Sequence, residues 1–253
     1  TASLFESHYQ SNSINESLAF GLQNFPCVVM YIPGLGQGFP HANITFAGFA
    51  GALTGINLGG VAVSSKGDPD QPGDPLPFFF QGNHYSAMFR EILYDSSSIR
   101  QARDIAESSR LFRRQHIVVG EGRYLNQAFK AQYTGSDSAP TLWELVDTEF
   151  LPKVLADVFY GGPREGVFAP DNVEDGPAFS ILRDDLGMID ENTLADVTAA
   201  LAPEDGNNLL NVIYRSSRSR GAASLDVWFS YALGDQPAHT RPYTHINLQD
   251  YLP

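Results

Sequence analysis

At 253 residues and 43% hydrophobic content, the chain is long enough to bury roughly three quarters of its unfolded surface as one domain over 1–253, and no run approaches the roughly 18 apolar residues of a membrane span. Sixteen Lys and Arg against 29 Asp and Glu leave a net charge of −13, which repels nucleic acid and anionic membrane surfaces and excludes both as partners. The single cysteine, Cys27, excludes an internal disulfide and a multi-cysteine metal site; in the apolar run Val28-Val29-Met30-Tyr31-Ile32 it reads as a buried, inert thiol.

The chain opens on Thr1-Ala2-Ser3-Leu4-Phe5. A free N-terminal threonine carries a hydroxyl nucleophile and, on the same residue, an α-amine whose unperturbed pKa of about 7.7–8.0 leaves part of it unprotonated near neutral pH. Thr1 is therefore the candidate catalytic residue, set against the plainer reading that it marks where a leader was trimmed. Two sequons, Asn15-Glu16-Ser17 and Asn43-Ile44-Thr45, permit N-glycosylation in a secretory route. With the processed start they lean towards a secreted or lysosome-like setting.

Residues 26–65 read as a meander of short strands. Cys27 to Ile32 is followed by the Gly-rich turn Pro33-Gly34-Leu35-Gly36, then by Ala42 to Phe46, Gly51 to Ile56 and Val61 to Ser64. The glycines here make turns and close strand packing; no strand–turn–helix order surrounds them, so they are not a dinucleotide fingerprint. Lys66 to Pro77, with its Gly and Pro punctuation, reads as a loop of the kind that lies over binding sites. Ser86 to Asp95 and Ser98 to Ser109 carry helical spacing, with Ser98 as a cap. His116 to Val119 returns to strand.

Leu142 to Phe159 then reads as a helix capped by Thr141 and interrupted at Pro152. Arg164 to Phe168 and Ala178 to Leu182 read as strands and Asn192 to Leu201 as a helix. Strands return at Asn211 to Tyr214, Ala223 to Tyr231 and Thr244 to Leu248. Strands first, helices in the middle and strands last predict an α+β domain in which helices cover antiparallel sheets.

None of the six histidines stands at metal-ligand spacing with another, and no HExxH, GxSxG or Walker sequence is present, so neither metal nor cofactor is expected. Gly82-Asn83-His84-Tyr85, following Phe78-Phe79-Phe80, reads either as the mouth of an apolar pocket or as plain core.

In order along the chain, these segments resemble the isopenicillin N acyltransferase-like (C45) family of N-terminal nucleophile hydrolases, with acid ceramidase and N-acylethanolamine acid amidase as more distant relatives. The stretch Ile44 to Val63, with Thr54-Gly-Ile-Asn57 and Gly60-Val-Ala-Val63, is similar to the family's core hairpin. Arg90-Glu-Ile-Leu93 with Ser98-Ile-Arg-Gln-Ala102 resembles its helical pair. Asn208 to Tyr214, Ser219-Arg-Gly221 and Val227-Trp-Phe resemble its C-terminal strands.

The resemblance implies an αββα sandwich and a processed large subunit with Thr1 where the family usually has cysteine. It also implies a cleaved N-terminal propeptide subunit as partner and a small apolar acyl-amide as substrate. It places Ser64, Asp68, Ser219 and Arg220 at the substrate, with Asn172 and Asn192 in the interval of the family's oxyanion-stabilising asparagine. One departure matters. Where the family has Gly-Arg-Asn-Leu-Asp-Phe, this chain reads Asn15-Glu16-Ser17-Leu18-Ala19-Phe20, with Glu16 for the arginine and Ala19 for the aspartate. Loss of one preorganised charged group commonly costs about a hundredfold to a thousandfold in rate. Two readings therefore stand: an amide-bond hydrolase or acyltransferase acting through Thr1, and a pseudoenzyme of the same fold with a ligand-binding, structural or storage role. A further alternative leaves the nucleophile upstream of Thr1.

Overall fold

The computed structural model describes residues 8–67, 82–123, 127–135, 139–145, 177–185, 188–218 and 223–251. Eleven strands build two antiparallel sheets among the described residues. The larger is a meander in chain order: β2 (Pro26–Tyr31), β3 (His41–Phe46), β4 (Thr54–Asn57), β5 (Val61–Gly67), β6 (Arg114–Glu121), β7 (Gln127–Thr134) and β8 (Thr141–Leu145). The smaller runs in the order β1 (His8–Ile14), β9 (Leu210–Arg218), β10 (Ala223–Tyr231), β11 (Thr244–Asn247). β1 thus pairs with a strand from the other end of the chain, in the register His8 with Ser216 through Ile14 with Leu210.

The layers follow from period-2 alternation in strands buried on both faces. Between the sheets, Ala42, Ile44, Phe46, Ile56 and Ala62 meet Val212, Tyr214, Leu225 and Val227. On its other face the large sheet presents Val61, Val63, Ile117, Val119, Phe129 and Ala131 to α1 (Tyr85–Asp95) and α2 (Ile99–Ser108). The small sheet presents Ile213 and Trp228 to α3 (Pro177–Asp184) and α4 (Glu191–Ala200). The order helix, sheet, sheet, helix is the expected αββα sandwich.

Local chemistry fixes the helix starts. Ser98 caps α2 by accepting from the Gln101 N–H, as expected. Asp190 and Thr193 form a reciprocal capping box on α4. α1 has a less usual cap: the Nδ1 of His84 accepts from the Ser86 N–H at 3.3 Å and from the Ser86 hydroxyl at 2.7 Å.

Four expectations change. Thr141 to Leu145 is not the start of a helix but the edge strand β8, with Gln132 to Ala128 of β7 opposite it; 146–159 lie outside the described residues. Ala178 to Leu182 is helical, not extended: Ala178 and Leu182 are four apart and both buried, against Leu194, Val197 and Ile213. β5 runs on through Lys66 and Gly67, so these two are strand and not the start of the expected loop; 68–77 lie outside the described residues. Cys27 is half-buried rather than buried, because β2 is the outermost strand of its sheet; burial still raises its thiol pKa, which keeps it protonated. Arg164 to Phe168 lies outside the described residues.

Candidate active-site region

The face of β1 that looks into the sandwich is polar where a sandwich core would be aliphatic. His8, Gln10 and Asn12 alternate along the strand and so point the same way, towards β5 and β6. Gln10 Nε2 donates to Ser64 Oγ at 2.7 Å and to the Val118 carbonyl at 3.2 Å, tying β1 to both strands of the opposite sheet. The Nε2 of His8 lies 3.4 Å from Gln10 Oε1. Ser64 is buried and uses its oxygen as acceptor for Gln10, which leaves its own hydrogen to donate. Asn12 Nδ2 and Ser216 Oγ are buried and without a hydrogen-bond partner.

Two glycines make room for this row. A Cβ at Gly120 would stand 2.0 Å from His8 Nε2 and 2.6 Å from Gln10 Oε1. One at Gly122 would stand 2.2 Å from Ser216 Oγ, 2.4 Å from His8 Cβ and 2.6 Å from the Ser216 carbonyl oxygen. The close approach of β1 and β9 to β6 depends on their lacking side chains.

On the other face of β5, Ser65 hydrogen-bonds the hydroxyl of Tyr85 at the start of α1. Burial raises the pKa of that phenol, and the Glu16 carboxylate nearby raises it further. The segment after β1, the end of β5 and the start of α1 therefore meet around Tyr85, which packs into both hydrophobic cores.

The turn that carries Glu16 is pinned by asparagines. Asn208 Nδ2 lies 3.0 Å from Ser13 Oγ and 2.9 Å from Asn15 Oδ1, and Asn207 Oδ1 accepts from the Leu18 N–H at 3.3 Å. Glu16 and Ala19 are both exposed. The side chains that β1 turns into the sandwich, with Ser64 of β5 and Ser216 of β9, form a row of hydrogen-bonding groups in its interior.

Of the residues singled out in the sequence, Ser64 is in this row. Thr1, Asp68, Ser219, Arg220 and Asn172 lie outside the described residues, as does the Phe78-Phe79-Phe80 run. Asn192 is exposed at the start of α4, where it donates to Asp190, and has no part in the interior row. Sequence reasoning missed His8, Gln10 and Asn12. Their signal was an alternation of larger polar side chains with Tyr9, Ser11 and Ser13, which lacks the β-branched residues that usually mark a strand.

Solved structures similar to this chain include two acyl-amide enzymes by name. An N-acylethanolamine-hydrolyzing acid amidase (NAAA) ortholog of Caenorhabditis elegans superposes with a TM-score of 0.54 at 16% identity, covering 81% of this chain and 86% of that one. Penicillin V acylase from Agrobacterium tumefaciens superposes with a TM-score of 0.54 at 11% identity, covering 97% and 86%. No protein-family model and no curated protein sequence matches. At these identities the likeness is one of fold, and together with the layer order it identifies the architecture: the chain has the αββα sandwich of the N-terminal nucleophile hydrolases.

Proposed function

We propose that the chain is an amide-bond hydrolase or acyltransferase that works through Thr1 as a free N-terminal nucleophile. The observation that carries this reading is the shared sandwich: two structures it resembles are, by name, an N-acylethanolamine-hydrolyzing acid amidase ortholog and a penicillin V acylase. Thr1 Oγ1 attacks the amide carbon while the α-amine takes the hydroxyl proton. As the C–N bond breaks that proton passes to the departing amine, and an ester is left on Thr1. Water then releases the acid, or an amine takes the acyl group. Backbone N–H groups and the Ser64 hydroxyl serve the oxyanion, with Asp68, Ser219 and Arg220 at the substrate. The substrate is a small amide with an apolar acyl part, a cleaved propeptide is the partner, and the setting is secreted or lysosome-like.

The pseudoenzyme reading keeps one specific support: an anion at Glu16 and no carboxylate at Ala19, both exposed. Treatment with a β-lactone followed by peptide mapping separates the two. A stoichiometric adduct on Thr1, lost in Thr1→Ala together with turnover of an N-acyl amide, supports the enzyme. A free but unreactive Thr1 supports the pseudoenzyme.

A further inference from the structure

β3 carries a second polar stripe, on the face away from the small sheet. His41, Asn43 and Thr45 alternate with Ala42, Ile44 and Phe46, so their side chains share the face of the large sheet on which α1 packs over the neighbouring β4 and β5. Their exposures are 0%, 1% and 1%. Neither polar atom of the Asn43 side chain has a hydrogen-bond partner, nor has Thr45 Oγ1 or His41 Nε2. Four such atoms on one face of one strand are unusual, since buried polar groups in native proteins are almost always satisfied.

The next polar side chain on this face shows what satisfaction looks like. Asn57, opposite His41 in the register, donates from Nδ2 to the Leu93 carbonyl at 3.0 Å and the Ser96 carbonyl at 2.6 Å, and its Oδ1 accepts from the Val61 N–H at 3.0 Å. The residue opposite Asn43 is Gly55, where a Cβ would stand 2.9 Å from Asn43 Oδ1 and 2.7 Å from Leu93 Cδ1. The missing side chain is what leaves the amide its place under α1.

We propose that His41, Asn43 and Thr45 form a buried water site between β3 and α1. The donor set selects the occupant. His41 Nδ1 stands 2.8 Å from the Phe39 carbonyl oxygen and must donate to it, so Nε2 presents only a lone pair. Asn43 brings two donors and an acceptor, and Thr45 one donor and its lone pairs. An anion would meet the lone pairs of His41 and Asn43. A cation would meet the Asn43 donors, with the Arg90 charge near enough to act on His41. An apolar ligand would leave every one of these atoms unpaired. Water is neutral, donates and accepts, and binds such sites through two to four partners.

The occupant is sealed in. His41 is stacked on Tyr31 at 4.7 Å between ring centres and lies edge-on to Tyr94 at 6.3 Å, and the Arg90 guanidinium lies 5.1 Å from the Tyr31 ring centre. Exchange with bulk solvent therefore waits on movement of α1 or of these rings.

Two measurements on the full chain test the site. A high-resolution crystal structure is expected to show ordered solvent at about 2.7–3.2 Å from the Asn43 amide and Thr45 Oγ1. Thr45→Val preserves shape and strand preference while removing one partner of the water, and is expected to raise the unfolding equilibrium constant a few-fold to about tenfold. A dry stripe gives the opposite result, because removing an unpaired buried hydroxyl leaves stability unchanged or improves it. Absence of solvent density at Asn43, or a Thr45→Val variant at least as stable as the parent, overturns the proposal.

Discussion

Gln10 Nε2 and Ser64 Oγ stand 2.7 Å apart, joining the first strand of the small sheet to the fourth strand of the large one across the interior of the sandwich. The contact belongs to the polar row of β1, beside the aliphatic and aromatic side chains that fill the rest of the layer between the sheets, and the sheets come close enough for it because Gly120 and Gly122 carry no side chain. Those two glycines do not carry equal loads. At Gly120 the atoms in the way are the far ends of the His8 and Gln10 side chains; at Gly122 they include the Ser216 carbonyl oxygen and His8 Cβ.

Gly120→Ala is therefore expected to fold with a modest loss of stability, while turning Gln10 away from Ser64. Gly122→Ala forces backbone apart and is expected to cost more, about 1–3 kcal/mol. Ser64→Ala, which leaves Gln10 only the Val118 carbonyl as acceptor, is expected to cost about 1 kcal/mol. Urea unfolding of the three variants checks the order, and Gly120→Ala more stable than the parent would refute the account of the interior row.

A second interior pair predicts an asymmetry. Thr54 Oγ1 donates to the Val63 carbonyl at 2.8 Å, so the Tyr214 hydroxyl, 2.8 Å away, must donate to Thr54. Both residues are fully buried, and burial raises the phenol pKa of Tyr214 well above its ordinary value. Thr54→Val strands the Tyr214 hydroxyl and removes the threonine's bond to Val63 at once, at an expected cost of about 2–3 kcal/mol. Tyr214→Phe leaves Thr54 bonded to Val63 and is expected to cost about 1 kcal/mol. Chemical denaturation of the two single variants reads the difference directly; equal losses would mean that the Thr54–Val63 bond and the stranded Tyr214 hydroxyl contribute little beyond the bond both variants lose.

These pairs also mark where the sequence was readable. The meander from Cys27 to Ser64 and the C-terminal strands at Ala223 to Tyr231 follow from short β-branched runs between glycines, and Ser98 capped α2 as its position implied. β1 was not readable, because its interior residues are polar and its partner β9 lies some 200 positions away. Thr141 to Leu145 misled for a related reason. The run Thr-Leu-Trp-Glu-Leu suits a helix or a strand, and only pairing with Ala128 to Gln132 decides it. At Ala178 to Leu182 the apolar spacing fits a helix, and Pro177 suits its first turn. Ser64 entered the candidate site through the resemblance, but its actual partner, Gln10, depends on how two sheets stack, which no local pattern encodes.

Burial lowers the pKa of both His41 and His84 below the ordinary 6.5, with Arg90 pushing His41 down further and Arg113 doing the same to His84. The sign follows from linkage. Between the depressed folded value and 6.5, the unfolded chain binds more protons than the folded one, so stability rises with pH across that interval. The contribution is complete above about pH 6.5 and is lost as pH falls through the folded values. At His84 the geometry gives the same direction, because protonating Nδ1 removes the acceptor that caps α1. Thermal midpoints measured from pH 7.5 to 5 are expected to fall for the parent, and less steeply for His84→Asn, which keeps a cap without the titration. A slope unchanged in that variant would place the acid sensitivity elsewhere.

The two sequons separate cleanly in the fold. Asn43 is 1% exposed in the middle of β3, under α1, and a glycan there is incompatible with the sandwich. Asn15 is exposed at the turn after β1, and its Oδ1 lies within hydrogen-bonding distance of Ser13 Oγ and Asn208 Nδ2. Attaching a glycan at Nδ2 keeps that oxygen and one N–H, so the contacts at Oδ1 survive. Expressed through a eukaryotic secretory route, folded protein is expected to carry sugar at Asn15 and none at Asn43. Asn15→Gln should then abolish the mobility shift on enzymatic deglycosylation. Peptide mapping that found glycan on Asn43 in folded, secreted protein would contradict the packing of β3 against α1. An unmodified Asn15 in the same material would show that the Asn208 contact holds the amide out of the transferase's reach.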